Sequence, residues 1–265
     1  MDLVDSHAHL DFPDFEDDLG LVIKNADEVG VKKIINVGAD LERSRAGIQI
    51  ADRYENIWAT VGIHPEGSGV NLEKAEKEIK SIVNSSKKVV ALGECGLDYF
   101  RDESKSTEQK ALFERQISIS KDLNLPLVIH IRNGKDKSAA EDAYQILSQK
   151  KIQRGVIHCF TLDKNWAKKF VDLGLYIGFT GIVTYKNANL VCESVKAVPV
   201  ERLLIETDCP YLAPQKCRGM RNEPAFVTEV AQKITEIKDL TIDKTAEQTT
   251  KNAESLFCLE KRSKI

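Results

Sequence analysis

No pair among the six cysteines has C-x-x-C spacing, so zinc-ribbon and thioredoxin-like readings are excluded and reduced thiols are expected. No apolar run is long enough to cross a bilayer. The first residues, Met1-Asp2-Leu3-Val4-Asp5, carry acid where a secretory signal carries positive charge, so a cytoplasmic protein without a membrane partner is expected. A basic excess is also missing. The net charge of -3 does not mark a general nucleic-acid binder, and any affinity for phosphate must be local. No linker or low-complexity segment interrupts the chain.

What is present fits a globular α/β protein. Hydrophobic residues make up 42% and charged residues 30% of 265 positions, enough for one large core, and a single α/β barrel usually takes about 250 residues. Short apolar runs begin near residues 3, 33, 58, 89, 127, 155, 175 and 203. Helical patterns alternate with them. Leu19, Val22, Ile23, Ala26 and Val29 recur at helical spacing before Gly30, a C-cap, and Asp40 can cap a helix running through Ile48 and Ala51. Ser106-Thr107-Glu108-Gln109 offers a capping box. Further helices are expected over about 137–149, 164–173 and 188–198, with two after Pro224. Eight strands alternating with helices predict a single (β/α)8 TIM barrel over residues 1–258, followed by a short basic tail, 259–265.

All five histidines sit at or within two residues of the exit of such a run, and acids mark two further exits. The ends read Asp5-Ser6-His7-Ala8-His9, Gly62-Ile63-His64, Gly93-Glu94, Val128-Ile129-His130, Val156-Ile157-His158 and Ile205-Glu206-Thr207-Asp208. In a strand, residues i and i+2 face one side, so His7 and His9 can grip one ion. A barrel brings His130 and His158 to the same face. Glu94 and Asp208 complete a nitrogen and oxygen set suited to zinc, manganese or a related divalent ion. Six groups exceed the needs of one ion. Glu94 can bridge a pair through its two oxygens, or serve instead as a buried supporting acid. Cys95, Cys159 and Cys209 each follow a candidate ligand and, if extended, point away from it as small buried hydrophobes.

Together these motifs resemble the TatD family of metal-dependent deoxyribonucleases, related to the amidohydrolase-type barrels. The likeness spans nearly the whole chain and adds Gly62-Ile63-His64-Pro65, Gly93-Glu94-Cys95-Gly96-Leu97-Asp98-Tyr99, Ile129-His130-Ile131-Arg132, His158-Cys159-Phe160, Gly178-Phe179-Thr180-Gly181 and Glu206-Thr207-Asp208-Cys209-Pro210-Tyr211-Leu212 to the first motif. The resemblance implies that His7, His9, Glu94 and Asp208 surround one metal and Glu94, His130 and His158 a second. It also implies hydrolysis of DNA phosphodiesters from a 3′ end, with metal-activated water as the nucleophile. Asp208 could accept the proton from that water, or act only as a ligand. Magnesium is the least natural occupant for so many imidazoles, although it can support activity in an assay.

Outside the six ligands, His64 is expected to contact substrate, to protonate the leaving group or to make a structural hydrogen bond. Arg132 can fork onto a phosphate or form a surface ion pair. Arg218 and Arg221 either border substrate or lie in a solvated loop. The chain departs from the family pattern at Met220, where a basic residue is frequent, and at Leu162, where a small one is common. Tyr99, Phe100, Phe160 and Tyr211 can stack on bases, with core packing expected for at least half. The alternative chemistry on the same ions is ester or amide hydrolysis, for example as a D-aminoacyl-tRNA deacylase. A noncatalytic nucleic-acid-binding barrel is disfavoured because none of the six ligands is missing.

Overall fold

The computed structural model describes residues 2–259. The basic stretch 261–264 lies outside the described residues. Strands β1 (Leu3–Ala8), β2 (Val31–Asn36), β3 (Ile57–Val61), β4 (Val89–Asp98), β5 (Leu127–Arg132), β6 (Gly155–Ile157), β7 (Tyr176–Phe179) and β8 (Leu203–Ile205) pair in chain order, and every pairing is parallel. The seam closes just past β8. There the Asp208 N–H donates to the His7 carbonyl at 2.8 Å, and the His9 N–H to the Cys209 carbonyl at 2.9 Å. These are the eight expected strands of a (β/α)8 barrel.

Helices follow the strands as α1 (Leu19–Glu28), α2 (Leu41–Arg53), α3 (Leu72–Val83), α4 (Ser106–Leu123), α5 (Ala139–Gln149), α6 (Lys164–Asp172), α7 (Asn189–Ala197), α8 (Val227–Lys238) and α9 (Ile242–Phe257). Asp40 caps α2 by accepting the Arg43 N–H at 2.8 Å, and Gly30 follows α1 with φ of 94°. The capping box does not form. Ser106 is the first residue of α4, because a 3-10 turn over Glu103–Lys105, itself capped by Asp102, runs straight into that helix. Gln109 instead clamps the end of β4, accepting the Asp98 N–H at 2.8 Å and donating to the Asp98 carbonyl at 2.9 Å. Helix α3 was not among the expected helices, although Asn71 caps it and Ala75, Ile79 and Ile82 form its buried stripe.

Parallel strands covered on both faces must be apolar throughout, as β4 and β5 nearly are. Leu3, Ile34, Ile57, Leu92, Leu127 and Ile177 belong to the large core shared with the helices. A smaller cluster gathers Val4, Ile35, Val90, Val128, Val156 and Leu204 from six strands around Leu256 and Phe257 at the end of α9. His130 and His158 lie two residues beyond Val128 and Val156, so each shares its neighbour's face one layer nearer the strand exits. That apolar layer is the floor of the site.

Candidate metal centre

The ends of β1, β4, β5, β6 and β8 deliver donor atoms to one place. His7 Nε2 lies 3.2 Å from His9 Nε2, 3.6 Å from Asp208 Oδ1 and 3.8 Å from Glu94 Oε2; His9 Nε2 lies 3.3 and 3.8 Å from the same two oxygens. Two ligand atoms on a common tetrahedral ion at about 2.1 Å stand about 3.4 Å apart, so these separations fit one divalent ion. Glu94 turns its other oxygen the opposite way. Oε1 lies 2.8 Å from His158 Nε2, 2.9 Å from His130 Nδ1 and 3.8 Å from His64 Nε2, with His130 and His158 3.2 Å apart. The carboxylate thus faces two nitrogen-rich groups, one through each oxygen.

Backbone geometry sets this up. Gly93 and Gly96 flank Glu94 and Cys95 at φ of 130° and 140°, where L side chains are strained, and a Cβ on either would strike the β5 carbonyls of Val128 or His130. Asp208 stands at φ of 58°, turning out of the line of β8 toward His7 and His9. Cys95 and Cys209 are buried as expected. Cys159 differs: the chain leaves β6 at φ of 46°, so the residue is no longer extended and its side chain lines the cavity. Burial pushes its thiol well above the ordinary range, which leaves it a poor nucleophile.

Partners behind the rings decide which nitrogen faces inward. His9 Nδ1–H donates to the Val37 carbonyl at 2.8 Å and leaves Nε2 for the centre. Asp98 accepts from His130 Nε2 at 3.0 Å, so Nδ1 faces the centre. Glu206, buried and accepting from Ser6 and the Cys159 N–H, stands 3.7 Å behind His158 Nδ1. Such backing is how proteins fix imidazole ligands. Asp98 and Glu206 were quoted in the motifs without a role, because a sequence displays neither burial nor ring orientation.

The electrostatics report a crowded ligand set. Burial opposes the charged form of Glu94, but the surrounding histidines, His158 foremost, hold its carboxyl well below the usual range. Burial and the neighbouring His158 keep His7 neutral. Burial also works against His9, yet Asp208, with Glu94 and Asp11, lifts the ring to about 8; against burial, Glu94 and Glu206 likewise raise His158. His64 is the exception among the histidines. Its Nδ1 accepts the Glu66 N–H at 3.2 Å, so the neutral ring carries its proton on Nε2, facing Glu94, and burial depresses it to about 4. It presents a donor, where a metal ligand needs a lone pair.

A cavity of about 750 Å³ opens over the centre, lined by His9, His64, Glu94, His130, His158 and Asp208 and bordered by Arg101 and Arg132. Arg101 was not among the expected site residues. Arg218 and Arg221 do not line it. Arg218 lies 4.5 Å over the Tyr185 ring, and Arg221 forks onto Asp18 at 2.9 and 2.6 Å, also reaching Glu223 and the Asp14 carbonyl. Its donors are already engaged within the chain. Leu162 packs against the core, and Met220 is exposed in the loop beyond β8.

The family profile described as "TatD related DNase" matches residues 4–258. An uncharacterized metal-dependent hydrolase, YabD of Bacillus subtilis (strain 168), is 39% identical over 259 residues, covering 96% of this chain and 98% of the relative. The protein named 3'-5' ssDNA/RNA exonuclease TatD of Salmonella typhimurium is 33% identical over 263 residues, covering 96% and 98%. Among solved structures, YJJV, a TatD homolog from Escherichia coli K12, superposes with a TM-score of 0.90 at 28% identity, covering 97% of this chain and 98% of that one. The chain therefore belongs to the TatD family of metal-dependent hydrolases.

Proposed function

We propose that this chain is a deoxyribonuclease that removes nucleotides from the 3′ end of single-stranded DNA, using two divalent ions. The observation that carries this reading is the division of Glu94, whose two oxygens face separate donor groups at the floor of an arginine-bordered cavity. His7, His9, Glu94 and Asp208 would hold one ion, and Glu94, His130 and His158 the other. When bound, such ions polarise a phosphodiester and supply a nucleophile near neutral pH. The names of relatives at 33% and 32% identity, 3'-5' ssDNA/RNA exonuclease TatD, support the substrate and the polarity.

The remaining roles fall to the chain's own groups. Asp208 is partly buried and lines the cavity, and its carboxylate takes the proton from the attacking water. His64 Nε2–H offers a hydrogen bond to the departing oxygen from across the site. Arg132, and with it Arg101, pairs with phosphate oxygens at the rim. The net charge of -3 is compatible with this, because one strand end requires few contacts.

The test uses single-stranded oligonucleotides labelled at the 5′ or the 3′ end, with wild type and Asp208→Asn, in chelator and with added zinc, manganese or magnesium. A ladder from the 5′ label that needs metal and falls by about 10²–10⁴-fold in the variant is expected. Turnover of a model ester with no DNA cut under any metal would favour the ester or amide reading and sink this one.

A further inference from the structure

Leaving an aromatic ring in water forgoes the free energy its burial would return. Among the described residues, only Phe100 (63%) and Tyr211 (57%) stand as exposed aromatics. Tyr99 and Phe160, which flank the same motifs, are buried in the core. One ring lines the cavity, and the other stands beside it against a lining arginine. Tyr211 lines it, three residues past Asp208, and its N–H donates to the Asp208 carbonyl at 3.0 Å. It meets Phe12 edge-on at 5.9 Å, and Phe12 in turn stacks on His9 at 4.8 Å. Phe100 lies two residues past Asp98, with the guanidinium of the cavity-lining Arg132 3.8 Å over its ring.

The barrel order sets these rings apart. Strand β4 stands four places from β8, so Phe100 and Tyr211 rise from opposite sides of the mouth with Glu94 and the histidines between them. Two separated rings do not make the contiguous apolar patch that a protein partner buries. An isolated ring next to an arginine suits an unpaired base, which stacks on the ring while its phosphate meets the cation. In a duplex only the outer face of the end pair is open, so rings on both sides of a phosphodiester can be stacked upon only after the end is unpaired.

Resting on the nuclease reading above, we propose that Tyr211 and Phe100 are base-stacking subsites on either side of the scissile phosphodiester, and that they restrict the site to unpaired strand ends. Stacking reads any base, so the subsites select strand state and leave sequence unread.

The test compares metal-loaded wild type, Tyr211→Ala, Phe100→Ala, Tyr211→Trp and Phe100→Tyr. Each is given a single-stranded deoxyoligonucleotide, copies lacking the base at one of the last three 3′ positions, and a blunt duplex. KM is measured for cutting, and dissociation constants are measured on versions with a non-hydrolysable phosphorothioate end. Wild type should prefer the complete strand over at least one abasic copy by about five- to 150-fold. Each alanine variant should lose that preference at one position, while the aromatic variants keep it. Equal ratios for wild type and the alanine variants, or cutting of blunt duplex as fast as single strand, would overturn the proposal and leave the nuclease reading standing. If wild type neither binds nor cuts any oligonucleotide, the nuclease reading falls and the subsites fall with it.

Discussion

Different groups stand behind His9, His130 and His158, namely the Val37 carbonyl, Asp98 and Glu206, and those partners were the least legible part of the sequence. The ligand types could be read from strand ends, because i, i+2 spacing and barrel topology fix which face they share. The orientation of a ring could not, since it depends on a carbonyl such as Val37 or a carboxylate such as Asp98 that packing brings behind it. Asp98 should therefore matter without touching an ion. An Asp98→Asn substitution keeps the shape but weakens acceptance of the His130 Nε2 proton, and metal affinity should fall by about 10- to 100-fold in a chelator competition. Unchanged affinity would reduce Asp98 to a structural acid. His64 illustrates the same limit in reverse: its strand-end address is that of a ligand, while its Nδ1 partner makes it a donor.

At the scale of elements, strand and helix positions followed from apolar periodicity, and departures came where local turns intervened. Ser106 lost its capping role to the preceding 3-10 turn, and α3 lacks a chemical motif although its buried stripe is regular. Helix α9 plugs the barrel floor with Phe257, which is 1% exposed. Replacing Phe257 by Ala should cost about 3–5 kcal/mol in denaturant unfolding, through lost burial and the cavity left beneath the metal centre. A cost under about 1 kcal/mol would mean that the floor does not depend on it. The loop beyond β8 is tied to the start of α1 by Arg221 and Asp18. Hydrogen bonding to Arg221 holds the Asp18 carboxyl below its ordinary range. Because the folded value is the lower one, this contribution is present above the unfolded carboxyl range and is lost as pH falls through the folded value. The melting-temperature gap between wild type and Arg221→Met should be steady down to about pH 5 and close below about pH 4. A gap that persisted in acid would assign the effect to the contact of Arg221 with the Phe15 ring.

For the whole molecule, the sequence already contained the barrel, since eight runs in alternation with helices leave few other topologies. The bridging role of Glu94 was also read from the strand-end residues, but which oxygen faces which group depends on how β1, β4, β5, β6 and β8 converge. Among the described residues no helix is long and apolar enough to cross a membrane. The account turns on that shared carboxylate. The most direct measurement is metal stoichiometry by elemental analysis, after reconstitution and removal of loose ions, for wild type and for Glu94→Gln. A glutamine keeps one carbonyl oxygen and cannot bridge. The account predicts two divalent ions per wild-type chain and at most one in the variant; a single ion in wild type, or two retained by Glu94→Gln, would contradict it.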